Sequence, residues 1–238
     1  MKIAILTTDT THHKYFVSQI CHYSNEVICV FESNNLKAQF ATKVNFEKQR
    51  EKFEKKKWFN NKPINLAEVK NLKILNVSKG DNKKSINFLK KNNVDLIILF
   101  GVKKISKLFL EKFKKKVFNL HGGDLKEYRG LDSHYWAIYH NDFKSLIVTL
   151  HTVELKLDTG KIVYEKKIKF NKTDRIHQIR YKNTNICVSL VNSLIKKLRL
   201  KKKYTLNKPL FYGRYYSFMP KQLKTIVEKK FNSYCKKI

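Results

Sequence analysis

An α/β fold of the Rossmann-like kind, a mostly parallel sheet with helices on both faces, is predicted by three features of this 238-residue chain. Apolar runs of six or seven residues recur at 2–7, 26–31, 72–77, 94–100 and 116–121, with longer charged stretches between them. The runs are apolar on both faces rather than alternating, as parallel strands covered by helices are. Five of the seven glycines crowd between 101 and 160, around the ends of the last two runs.

The elements follow in order. Residues 2–7 (KIAILT) read as a buried strand, 13–23 as a helix and 26–31 (EVICVF) as a second strand. Residues 35–58 are rich in Lys and Glu with Phe40, Val44, Phe46 and Phe53 interspersed, which predicts a helical excursion. A strand at 72–77, a helix at 81–92, a strand at 94–100 (VDLIILF), a short helix at 106–114 and a strand at 116–121 complete the β–α alternation. A loop at 122–132 and a helix at 133–141 follow. Strands at 145–153 and 161–170 then face each other across LKLDTG, predicting an antiparallel extension of the sheet. A long helix spans 174–199. Lys201–Lys203 mark the expected boundary between a catalytic domain, 1–200, and a short C-terminal appendage, 201–238, serving dimerisation or substrate contact.

Composition narrows the function classes. No apolar run approaches the ~20 residues of a membrane span, and the N-terminus is interrupted too early by Asp9, His12 and His13 for a secretory signal. Cys21, Cys29, Cys187 and Cys235 lack metal-type spacing and read as buried free thiols in the cytoplasm. No His-x-x-x-His pair lies on a helix, so no metal is expected. The formal net charge is +32, but only six of the cations are arginine. Bidentate reading of phosphates and bases leans on arginine. The lysines are therefore read as a solvated surface, and nucleic acid is not the expected partner.

In open α/β sheets, ligands bind at the carboxyl ends of the strands. The glycine cluster and a set of polar residues (Asn119, His121, Asp124, Arg129, Ser133, His134 and Asp158 among them) fall at that rim. Asn119 and His121 are two apart on a strand and share a face. An amide donor beside an imidazole suits a tetrahedral oxyanion with proton transfer, and Asp158 on the next hairpin can hold the imidazole. No Ser or Cys sits in a nucleophile elbow, so direct acyl transfer fits better than a covalent acyl-enzyme. His12 and His13 read as an anion-binding pair at a helix start or as solvated helix residues. His151, beside Leu150, reads as a core histidine.

Together, residues 118–134 (FNLHGGDLKEYRGLDSH) and 151–160 (HTVELKLDTG) resemble the folate-dependent formyltransferase family. That family includes glycinamide ribonucleotide, methionyl-tRNA and nucleotide-sugar N-formyltransferases, and the likeness covers about residues 1–170. It implies a formyltransferase fold, 10-formyltetrahydrofolate as co-substrate, and Asn119, His121 and Asp158 as catalytic residues. It also implies a donor site at Phe100, Gly101, Lys103, Ile105, Val153, Leu155 and Leu157. The acceptor is expected at Thr10, His12, His13, Arg129 and Ser133, with Lys103 and Lys104 attracting its charge. Relatives often carry Asp-Glu-Gly or Asp-Glu-Leu where this chain has Glu154-Leu-Lys-Leu, and His-Pro-Ser where it has His-Gly-Gly.

The first βα turn, Thr7-Thr-Asp-Thr-Thr-His-His13, has no glycine to cradle a phosphate. The short segment after Lys203 is too small for an RNA-binding barrel. The resemblance is thus closest to the nucleotide-sugar N-formyltransferases, which act on a dTDP-, UDP- or GDP-linked amino-dideoxy sugar for surface polysaccharide (O-antigen) synthesis, and a homodimer is expected. The alternatives are a methionyl-tRNA formyltransferase-like enzyme and a basic RNA-binding module on the same scaffold.

Overall fold

A computed structural model describes residues 1–33, 36–113 and 116–238. The alternation is realised as β1 (Lys2–Thr8), α1 (Thr11–Cys21), β2 (Glu26–Glu32), α2 (Asn45–Phe59), β3 (Leu72–Val77), α3 (Lys83–Lys91), β4 (Leu96–Phe100), α4 (Lys107–Lys112) and β5 (Val117–His121). Then come β6 (Tyr128–Gly130), α5 (Ser133–Tyr139), β7 (Ile147–Thr152), β8 (Ile162–Lys167), α6 (Ile179–Arg199), β9 (Arg214–Tyr216) and α7 (Lys221–Lys237). The expected helix at 106–114 ends at Lys112, its last position lying outside the described residues.

The sheet order is β3-β2-β1-β4-β5-β7-β8. The first five strands are parallel, and β7 and β8 extend the sheet antiparallel, as the facing runs around LKLDTG predict. Two cores result from the apolar runs. Ile3, Ile5, Ile98 and Phe100 pack on the face that carries α1 and α6. Ala4, Leu6, Ile97 and Leu99 pack on the other, against Ile86, Leu89 and Phe109 of α3 and α4. Strand order reverses between β1 and β4, which puts the ligand crevice outside their carboxyl ends. All four cysteines are free and buried. Among the described residues no helix is long and apolar enough to cross a membrane.

The expected appendage packs onto the rest of the chain. Met219, Val227, Phe231 and Cys235 are fully buried in the first core, and α7 lies against α5. Strand β9 pairs in parallel with β6, inside the segment expected to be a plain loop. The segment from β9 through α7 therefore packs against the first two hundred residues. Leu210 and Phe211 stay exposed.

A buried cation seals this join. The Lys224 ammonium is 3% exposed and lies 3.1 Å from Glu47 and 3.5 Å from Asp132. Removing one partner from a buried ion cluster leaves uncompensated charge. Lys224→Met is expected to lower unfolding free energy by about 3 kcal/mol in urea titrations. Lys229→Met, at an exposed position on the same helix, should change it by less than about 0.5 kcal/mol.

Candidate active site

Four polar side chains converge at the end of β5. Asn119 and His121 project from one face of that strand, and antiparallel pairing sets His151 of β7 directly opposite Asn119. That pairing puts His151 on the same face as Asn119, in the site rather than in the core. Asp158 arrives from the β7–β8 hairpin with φ 52°, in the left-handed region that costs a non-glycine residue energy.

Asp158 is the hub. One carboxylate oxygen, Oδ2, accepts from the Gly130 N–H at 2.9 Å and lies 3.6 Å from His121 Nδ1. The other accepts from Asn119 Nδ2 at 3.3 Å and lies 3.7 Å from His151 Nε2. Burial pushes the carboxyl up, but the two imidazoles and the Gly130 N–H outweigh it and hold it well below the usual carboxylate range.

Backbone carbonyls fix both ring tautomers. His121 Nε2 lies 2.8 Å from the Tyr128 carbonyl, which can only accept, so Nε2 carries a proton and Nδ1 faces Asp158. Likewise His151 Nδ1 donates to the Thr152 carbonyl at 2.7 Å. In the neutral ring its Nε2 then accepts from Asn119 Nδ2 at 3.0 Å. Gly123 makes room for the His121 bond, because a Cβ there would fall 2.6 Å from His121 Nε2 and 2.8 Å from the Tyr128 oxygen.

These groups line a cavity of about 870 Å³. One wall is the β4–α4 loop, with Gly101, Lys103, Lys104 and Ile105, and the other is Val153 to Leu157. Tyr215 of β9 borders the cavity beside Gly130. Six of the seven expected donor-site residues thus border the cavity. Phe100 does not: its ring lies in the core, edge-on to His13 at 4.6 Å and to Phe16 at 5.1 Å.

The expected acceptor residues fare differently. Thr10, His12, His13, Arg129 and Ser133 are all absent from the lining of this cavity. Burial drives His13 down to about 3, helped by the Arg180 charge, and His12 is lowered by burial and by His13. Two neutral rings, bonded to Thr8 and Thr10, offer an anion no charge. Thr10 borders a separate hollow with Lys14 and Lys62. The Ser133 hydroxyl donates to the Gly130 carbonyl.

Arg129 is the main correction. Its Nε donates to the Gly213 carbonyl at 2.6 Å and its Nη1 to the Leu157 carbonyl at 3.1 Å. The buried guanidinium staples the aspartate hairpin to the tail and is spent on backbone instead of phosphate. Lys103 also turns away, its ammonium on the Ser33 carbonyl. Lys104 borders the cavity with no ion pair or hydrogen bond among the described residues. No cluster of three His, Cys, Asp or Glu side chains is arranged to hold a metal among them either.

The sequence reads His151 as a core histidine and gives Tyr128 no part in the site; the pairing of β7 with β5 that brings His151 opposite Asn119 is long-range.

A model of the family described as "Formyl transferase" matches residues 1–188. Methionyl-tRNA formyltransferase of Borreliella burgdorferi (strain ZS7) is 32% identical over 133 residues, which is 56% of this chain and 42% of that protein. The chain thus matches well under half the length of that relative. A sugar N-formyltransferase from Shewanella superposes with a TM-score of 0.58 at 12% identity, over 91% of this chain and 76% of that one. The formyltransferase PseJ from Anoxybacillus kamchatkensis gives 0.53 at 20% identity, over 91% and 86%.

Proposed function

The chain belongs to the formyl transferase family, and on that premise we propose that it moves a formyl group from 10-formyltetrahydrofolate to the amine of a nucleotide-linked amino-dideoxy sugar. The observation that carries the chemistry is the meeting of Asn119, His121 and Asp158 at one end of a small-molecule cavity.

The reaction follows from the atoms in place. The acceptor nitrogen attacks the formyl carbon, and the carbonyl π bond becomes an oxyanion. The nitrogen must then shed a proton, and His121 Nδ1 has a free lone pair because Nε2–H is held by Tyr128. Asp158 Oδ2, 3.6 Å away, stabilises the imidazolium that forms. The same proton then goes to N10 of the folate as its bond to the formyl carbon breaks, leaving tetrahydrofolate and the formamide. Asn119 supplies the oxyanion contact. Of its two N–H bonds, the 3.3 Å one to Asp158 is the longer, and it is the one a developing oxyanion displaces once imidazolium neutralises the carboxylate. Preorganised donors of this kind contribute ~10²–10³ in rate.

The acceptor reading draws on three supports. The cavity has the size of a small-ligand site rather than a macromolecular groove. Tyr215 of the tail borders it beside Gly130 and brings an aromatic ring that can stack on a nucleotide base. PseJ is described in complex with a UDP-linked formamido sugar and tetrahydrofolate. The Borreliella relative's name favours methionyl-tRNA as the second reading, and the +32 charge is compatible with it. Dedicated charge contacts to a diphosphate fall to Lys104 rather than Arg129. The buried thiols suit a reducing, cytoplasmic setting.

The test is a panel of dTDP-, UDP- and GDP-linked amino-dideoxy sugars with 10-formyltetrahydrofolate, read by product mass. A gain of one CO on a sugar nucleotide is expected. Formylation of initiator methionyl-tRNA in preference to every sugar would overturn the acceptor assignment and leave the donor chemistry standing.

A further inference from the structure

Two buried carboxylates far from the catalytic cluster reach the same cavity wall. Glu32 ends β2 and is 3% exposed. Its oxygens accept from the backbone N–H of Gly80 at 2.7 Å and of Lys103 at 2.8 Å. Asp81 follows β3 and is 6% exposed. It accepts from the Ser106 N–H at 2.6 Å, with the Lys79 ammonium 3.2 Å from its other oxygen. The β4–α4 loop is therefore gripped at two points three residues apart.

The residues between those points explain why a grip is needed. Gly101 to Ile105 form no helix or strand, and their backbone carbonyls accept no hydrogen bond among the described residues. Apart from Ile105 the loop is exposed or half-buried, and without internal backbone hydrogen bonds its conformation is set by the groups that hold it from outside. Ile105 anchors it in the second core, and Thr7 donates its hydroxyl to the Phe100 carbonyl just before it. The two carboxylates do the rest. They take the N–H groups of Lys103 and Ser106, two residues that border the cavity, and leave the loop carbonyls without a hydrogen bond among the described residues.

Resting on the folate reading above, we propose that Glu32 and Asp81 are positioning residues for the formyl donor: they hold the 101–106 loop so that its unpaired backbone can hydrogen-bond the edge of the donor's heterocycle. Neither touches the reacting atoms. A carboxylate is required because it accepts two N–H bonds without carrying a donor of its own. In Glu32→Gln one of the two bonds becomes an N–H facing an N–H.

The split between donor and acceptor constants tests this. Binding of the stable 5-formyl isomer of the donor is measured by calorimetry for wild type, Glu32→Gln and Asp81→Asn. Alongside it, the Michaelis constants for donor and acceptor are measured on the intact chain. Loss of a charge-assisted bond predicts donor constants raised about tenfold or more, with the acceptor constant moving less than about twofold. Mere structural damage would instead reduce the active fraction, lowering kcat at an unchanged donor dissociation constant, and would overturn the proposal. So would unchanged donor binding in either variant that melts cooperatively. A wild-type chain that fails to bind the donor would overturn the folate reading and this proposal together, whereas wild-type binding with indifferent variants overturns this one alone.

Discussion

Asp158→Asn is expected to reduce kcat by at least ~10²-fold, the scale of losing positioned acid–base and oxyanion assistance, while the protein still folds. Four groups depend on this carboxylate: His121, His151, the Asn119 amide and the Gly130 N–H. An amide keeps the volume and can satisfy one N–H, but it removes the charge that stabilises protonated His121. If its NH2 turns toward Gly130, it also meets that N–H donor to donor. The loss should fall on kcat more than on either Michaelis constant, because the charge matters most once a proton has been taken. Turnover within about threefold of wild type in a folded variant would remove Asp158 from the mechanism, since the expected loss is far larger.

The same substitution has a signature in acid. The folded carboxyl is held below its unfolded value, so its contribution is complete above the ordinary aspartate range and is lost as pH falls through the folded value. The Asn variant has no such titration. Its stability should fall less steeply between about pH 4 and pH 2 than that of wild type, measured by urea unfolding at each pH.

Gly123→Ala is the second large effect expected. The added methyl would lie 2.6 Å from His121 Nε2, 2.8 Å from the Tyr128 carbonyl oxygen and 2.8 Å from Ser133 Cβ. A backbone oxygen cannot swing away as a flexible side chain does, so the imidazole must move and lose the bond that fixes its tautomer. Activity should fall about 10²-fold, with destabilisation of about 1–3 kcal/mol from overpacking. Gly122→Ala is the control. A Cβ there meets nothing closer than 3.3 Å, and only a small loss is expected. Equal activity of the two variants would show that the Tyr128 bond does not set the His121 geometry.

Much of this was legible in the residues. Parallel strands buried on both faces announce themselves as unbroken apolar runs, and a strand-end Asn-x-His puts two functional groups on one face whatever the surroundings. His151 was hidden because its place opposite Asn119 depends on the long-range pairing of β7 with β5, which no local pattern encodes. The helix α7 was hidden by lysine. Val227, Phe231 and Cys235 recur every four residues, but six lysines in the same helix mask the apolar stripe, and Lys224 is itself buried. Arg129 misled for a plainer reason: a guanidinium near an active rim suits phosphate and backbone carbonyls equally, and only the folded position of Gly213 and Leu157 decides between them.

The Arg129 staple also sets an order of events during synthesis. The seven-stranded sheet lies within the first two hundred residues, whereas the first core is completed by Met219, Val227, Phe231 and Cys235. The aspartate hairpin also depends on the later segment, because the carbonyl that receives Arg129 Nε belongs to Gly213 and the strand that backs Gly130 is β9. Asn119, His121 and Asp158 are therefore all synthesised before the contacts that fasten the Asp158 hairpin can form.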